Sequence, residues 1–182
     1  MNYLQHITSA ENPNDKKTIE VMSKSLSKIP DVIIRAVYNN DIETIRGWQS
    51  KNVINQLDKD KRTAIFHAIL AASKEVVVQL LIDNPDLNWH DSKGWYPLHY
   101  AAQQYLVEIA TLLIEAGADL EVKDDYGNTP LWRATFSSNG KGDIIELLLA
   151  KGADPNNENS IGISPLKLAN TIANYDVKQY YK

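Results

Sequence analysis

A chain of 182 residues without cysteine excludes disulfide stapling and thiol catalysis, and its net charge of −4 gives no basic footprint for nucleic acid. Hydrophobic residues make up 43% of it, enough for a packed core, while no apolar run reaches the roughly 20 residues of a membrane-spanning helix. The opening stretch, MNYLQHITSAENPNDKK, lacks a signal peptide's apolar centre, so the expected location is cytosolic (cytoplasmic), or outside by a route that needs no such signal.

Residues 1–15 are polar and contain the turn signal Asn12-Pro13-Asn14-Asp15. Lys16 to Lys28 has the pattern of a helix, with Asp15 as N-cap and an apolar stripe of Ile19, Met22, Leu26 and Ile29. Nothing in residues 1–29 recurs later in the chain. That extension is read as a cap over the first unit rather than a dedicated partner-binding helix, because the ends of repeat arrays are atypical.

From residue 30 onward the chain is repetitive. Residues 30–57 form a degenerate first unit in which Ala36 aligns with Ala101 and Glu43 with Glu108. Asn39-Asn40-Asp41 separates its two helices, and Trp48 is expected in the core. Residues 58–90 open with DKDKRTAIFHAIL, where Lys61 stands at a turn position that is glycine elsewhere and Ala64 at a proline position. The first helix of this unit is expected to be one residue longer than its counterparts.

Residues 91–123 carry the clearest copy, DSKGWYPLHYAAQQYLVEIATLLIEAGADL. Asp91 and Gly94 predict a turn, and Pro97 suits a first helical position, where its missing N–H costs nothing. A helix is predicted from Pro97 to Gln104 and a second from Val107 to Ala116, ended by Gly117 in the left-handed conformation. Residues 124–158 repeat the pattern with two extra residues within Ser137–Gly142, read as a tolerated insertion because loop lengthening costs little entropy. Residues 159–182 form a C-terminal cap, with helices predicted at 165–173 and 175–181. Gly94 to Gly127 spans 33 residues and Gly127 to Gly162 spans 35, while Leu98 lies 33 residues after Ile65 and 33 before Leu131.

Tyr96-Pro97-Leu98-His99-Tyr100-Ala101 and Thr129-Pro130-Leu131-Trp132-Arg133-Ala134 match the signature T-P-L-H-x-A, and Gly117-Ala118-Asp119 and Gly152-Ala153-Asp154 match a helix-end G-A-D. The chain thereby resembles ankyrin-repeat proteins over about residues 30–180. The resemblance implies an all-α solenoid of stacked helix–loop–helix units with projecting hairpin loops. It implies protein binding rather than catalysis, no cofactor or metal, and a monomer when free. A small protein of this composition, rich in Asn, Ile and Lys, also looks like bacterial ankyrin proteins. Some of those resemble immunity proteins that neutralise a cognate toxin, others host-directed effectors or signalling scaffolds.

The chemistry-bearing residues agree. His6, His67, His90 and His99 have no metal-ligand spacing, and His99 belongs to the signature, where the family uses it to brace the turn. No phosphate-binding glycine loop or nucleophile elbow occurs, and Asp124-Asp125 sits on a turn. An enzyme or enzyme subunit would need a buried convergence of titratable groups instead.

In the family, hairpin tips and the exposed side of the first helices hold partners. Carried over by position, this face comprises Lys59, Asp60 and Arg62; His90, Ser92, Lys93 and Trp95; Gln103 and Gln104; Lys123, Asp125, Tyr126 and Asn128; Phe136; and Ser160, Ile161 and Ile163. Trp95 is expected to be exposed beside Tyr126 as an apolar centre with a polar rim. Trp132 is expected to be buried between repeats, and Gly140 to tolerate substitution better than Gly117.

Overall fold

The computed structural model describes residues 28–49, 53–173 and 175–181. The helix expected over 16–28 falls almost wholly outside these residues. Its last apolar position does not: Ile29 is fully buried, and its N–H donates to the Leu57 carbonyl at 3.1 Å.

Nine α-helices occur among the described residues: α1 Asp31–Tyr38, α2 Ile42–Trp48, α3 Ala64–Leu70, α4 Lys74–Leu81, α5 Pro97–Gln103, α6 Val107–Glu115, α7 Pro130–Phe136, α8 Asp143–Ala150 and α9 Pro165–Thr171. The chain closes with a 3₁₀ turn, Val177–Tyr180. Each unit but the last contributes a pair of α-helices, and the last contributes α9 and the 3₁₀ turn. First helices pack on first helices (α3 on α5, α5 on α7, α7 on α9) and second helices on second helices (α4 on α6, α6 on α8). The same residue type makes this stacking possible in each unit. Ala68, Ala101, Ala134 and Ala169 recur on the first helices, all at most 3% exposed, and a methyl there lets backbones approach closely. Ile65, Leu98 and Leu131 fill the space beside them, and Val77, Ala110 and Ile144 do so on the second helices. A helix of seven to nine residues is too short to be stable alone in water, so stability comes from this shared core. Trp48 packs against that core while only partly buried.

Polar residues fix the helix ends. The side chains of Asp41, Ser73, Thr129 and Ser164 accept the N–H of Thr44, Val76, Trp132 and Lys167 at 3.0–3.2 Å, each satisfying an orphan first-turn donor. Gly117 and Gly152 end α6 and α8 with φ of 94° and 99°. At the same place after α4 stands Asn84 with φ 50°, a residue type that tolerates the left-handed region. The 58–90 unit is therefore closer to its neighbours than expected. Its first helix is not longer, since α3 and α5 both have seven residues. The reason is that Ala72 takes φ 52° one period before Tyr105 at φ 58°, so the interhelical turns match. Lys61 likewise takes φ 60° where Gly94 has 71°.

The C-terminal cap differs from expectation. Its second helix is reduced to the 3₁₀ turn, and the longer loop of the 124–158 unit fills the space with help from tyrosines. Tyr105 Oη donates to the carbonyl of Ala134 or Lys141, each at 2.9 Å, and Tyr180 Oη donates to Gly140 O at 2.8 Å. Tyr181 Oη and Thr135 Oγ1 share a short hydrogen bond. The loop is thus clamped. Gly140 has φ 84° and faces the Tyr175 ring, so it is not the permissive glycine expected.

Candidate functional site

The hairpins between units are built on one repeated carboxylate or amide. Asp58, Asp91, Asp124 and Asn159 each accept two backbone N–H groups through Oδ1, from residues two and four further on, at 2.7–3.1 Å. The other oxygen of each aspartate is held from the residue nine positions on, which is chemically different each time. His67 Nε2 pairs with Asp58 at 3.0 Å, Tyr100 Oη donates to Asp91 at 2.7 Å, and Arg133 Nε donates to Asp124 at 2.8 Å. Burial alone would raise the Asp91 and Asp124 carboxyls. Hydrogen bonds from Tyr100 and from Arg133, with those of the turn amides, outweigh it and hold both below the usual carboxylate range.

A second row ties each hairpin to the next, and it corrects three of the expected contact residues. Arg62 Nε donates to Asp91 at 3.0 Å with only 16% of its side chain exposed. Trp95 carries the Arg133 guanidinium 4.2 Å from its ring centroid and lies 4.9 Å from the Tyr100 ring. Asn128 is 4% exposed, and its Oδ1 accepts Asn159 Nδ2 at 2.8 Å. These residues occupy the same hairpin position, directly after a left-handed residue that turns their side chains toward the following repeat. Trp95 is therefore half-buried between repeats, not exposed, and it is not in register with Tyr126, whose counterparts are Lys93 and Ile161. Trp132, expected to be buried, is also half-buried and stacks on Phe136 at 5.3 Å between centroids.

His99 sits beneath this row, fully buried. Its Nδ1 accepts the Tyr96 N–H at 3.3 Å and its Nε2 donates to the Asn128 carbonyl at 2.8 Å, so it joins two hairpins as the bracing role requires. Burial lowers its pKa to about 4, against the bond to Asn128 and the nearby Asp124 charge, so the ring is neutral near pH 7.

The outermost row of tips remains exposed. Lys59, His90, Ser92, Lys93, Gln103, Gln104, Lys123, Asp125 and Ser160 are exposed, whereas Asp60 and Ile163 are half-buried. Two large apolar side chains stand out of the row, Tyr126 at 69% exposure and Ile161 at 77%, and Phe136, at the end of α7, is 62% exposed. The tips are bonded side by side, the Ser92 N–H donating to Asp60 O at 2.8 Å and the Ser160 N–H to Tyr126 O at 3.0 Å. Lys61 and Trp89 belong to the same surface but are not among the residues expected there. Lys61 is exposed because its turn projects it, and the Trp89 indole N–H donates to its carbonyl at 2.9 Å. Among the described residues no group of three histidine, aspartate or glutamate side chains could hold a metal ion, and no helix is long and apolar enough to cross a membrane.

Helix pairs stacked through a common core and joined by a ribbon of bonded hairpin tips define a repeat solenoid. The family model for ankyrin repeats (3 copies) matches residues 33–124 and 70–159, and the chain belongs to the ankyrin-repeat family. Repeats of this family generally mediate protein–protein interaction. A putative ankyrin repeat protein of Rickettsia bellii is 33% identical over 120 residues, covering 64% of this chain and 65% of that protein. NF-kappa-B inhibitor alpha of Gallus gallus is 42% identical over 80 residues, 42% of this chain and 25% of the inhibitor. The tyrosine-protein kinase Shark of Drosophila melanogaster is 30% identical over 159 residues, 87% of this chain but 15% of the kinase. The chain thus spans less than two thirds of the length of each of these relatives.

Proposed function

We propose that the protein is a non-enzymatic binding module that holds one partner protein along its hairpin tips and the exposed side of its first helices. The observation that carries this reading is the exposure of Tyr126 and Ile161 on a backbone ribbon otherwise braced by buried hydrogen bonds, with Phe136 exposed at the end of α7. Large apolar groups exposed on a rigid frame favour binding, because little conformational entropy is lost on contact. Lys59, Lys93, Gln103, Gln104 and Asp125 supply a polar rim. The similarity to a protein named as an inhibitor of NF-kappa-B supports a role in which a partner's surface is occluded. The finer reading is an immunity-type protein that neutralises a cognate toxin by occluding it, with a host-directed effector or a signalling scaffold as the alternative.

The test is affinity capture with the full chain and with Tyr126→Ser/Ile161→Ser, read by mass spectrometry. A partner held by wild type and lost by the variant, with unchanged melting temperature, is the expected result. A partner held equally by both would move the contact to another face. If that partner is a toxin, co-expression of wild type should protect cells and the variant should protect them less.

A further inference from the structure

The tip chemistry changes along the solenoid. On the two hairpins rooted at Asp58 and Asp91, Lys59, Lys61 and Lys93 are exposed and form no ion pair among the described residues. The carboxylates beside them are Asp60, between the first two lysines, and Asp125, which lies against Gly94. Further along, Lys123 Nζ and, from α9, Lys167 Nζ are held against backbone carbonyls, Glu158 O and Gly162 O, both at 2.8 Å, while Lys59, Lys61 and Lys93 project from the hairpin tips. In a chain of net charge −4, cations without partners at one end of the row are a local surplus. The other end is apolar, with Tyr126 and Ile161 on tips joined by a backbone hydrogen bond of 3.0 Å.

Resting on the hairpin row as the partner face, we propose that it recognises an extended protein segment, acidic over the Asp58 and Asp91 hairpins and apolar over the Asp124 and Asn159 hairpins. Charge complementarity selects the first zone. A carboxylate over Lys59, Lys61 and Lys93 meets ammonium groups that no described internal partner neutralises. Area selects the second, since Tyr126 and Ile161 are each more than two-thirds exposed and lose water only against an apolar group. Helices that pack as these do stand about 8–10 Å apart, so Lys93 and Ile161, two repeats apart, are separated by about 20 Å. An extended chain covers that span in about six residues. A nucleic acid is the poorer occupant, because its phosphates run its whole length while the lysines without partners occupy one end.

The test is selection of a phage-displayed random-peptide library on the full chain. It is repeated on Lys59→Glu/Lys61→Glu/Lys93→Glu and on Tyr126→Ser/Ile161→Ser, with folding of each checked by thermal melt. Wild type should enrich peptides with an Asp/Glu run and, about six residues away, a pair of aliphatic or aromatic residues. A synthetic peptide of that sequence should bind the lysine variant at least about tenfold more weakly, with wild-type affinity falling as salt rises. It should bind the Tyr126/Ile161 variant at least about tenfold more weakly at every salt concentration. Enriched peptides without acidic runs, unaffected by the lysine variant but lost with the apolar one, would overturn the two-zone segment and leave the hairpin face standing. Peptides indifferent to both variants would overturn the hairpin face itself. Absence of enrichment over blank beads would overturn the linear segment. A labelled single-stranded oligonucleotide that binds wild type more tightly than the lysine variant and displaces the peptide would reassign the basic zone to nucleic acid.

Discussion

His99 offers the sharpest test of how the hairpins are held. The ring is fully buried, bonded through both nitrogens, and has its pKa lowered to about 4. In the unfolded chain the same ring titrates near 6.5. Between these values the unfolded state binds a proton that the folded state does not, so stability falls as pH drops below about 6.5 and the fall levels off below about 4. The groups that face His99 are Asp124, Arg133 and Asp91. Both carboxyls are held low in the folded protein, so their own contribution is lost only below about pH 4, outside this window. Between about pH 7 and about pH 4.5 the His99 linkage amounts to about 2 kcal/mol. His99→Gln removes that titration and both bonds, which should cost about 1–3 kcal/mol near pH 7. Its stability should then fall less steeply with acid, so the two proteins converge toward about pH 4.5. His67, also lowered by burial, titrates in both and cancels. Urea denaturation at a series of pH values measures this directly. Equal pH slopes for wild type and His99→Gln would refute the buried, neutral ring.

The other expectations concern conformation, the inter-repeat row and the clamp. Gly117→Val should cost on the order of 1 kcal/mol from positive φ alone, because no atom lies within 4 Å of a Cβ there, as chemical denaturation will read. Gly127→Val should cost more, since its Cβ would meet the Ser160 backbone N at 2.7 Å as well. Trp95→Ala should lower stability by about 2 kcal/mol through loss of the Arg133 stack and half-buried packing. Tyr126→Ala should instead leave the melting temperature unchanged and weaken partner binding by about 2 kcal/mol, as titration calorimetry against the captured partner will show. Tyr180→Phe should cost about 1 kcal/mol by freeing Gly140 O, with faster amide exchange confined to residues 137–142.

The period of the fold is legible in the sequence because its markers are residues with backbone duties. Glycine at positive φ, proline at a first helical position and aspartate under a turn cannot be exchanged freely, so they recur in register. Where another residue takes the same conformation, as Lys61, Ala72 and Asn84 do, the unit is worn in sequence yet regular in structure. The donors that hold the aspartates are not legible. His67, Tyr100 and Arg133 share nothing except an N–H or O–H nine residues after a carboxylate, and only the fold shows that they do the same thing. Trp95 departs from expectation for a related reason. A large aromatic on a hairpin suggests an anchor, but its direction is set by the left-handed residue before it and by the Arg133 that the next repeat supplies.

Trp95 thereby separates two rows that one hairpin carries side by side. Arg62, Trp95 and Asn128 point across to the next repeat, where each meets a partner that fixes it. The tips beyond them are joined by the Ser92–Asp60 and Ser160–Tyr126 backbone bonds. Spacing and register of the exposed side chains are therefore set by backbone bonds between the tips and by the row behind them. Such an arrangement lets tip residues vary at little cost in stability, since Lys93, Tyr126 and Ile161 occupy equivalent positions with a cation, a phenol and an aliphatic chain. A face built this way can change its exposed side chains without changing what holds it, because the stabilising contacts lie in the row behind it.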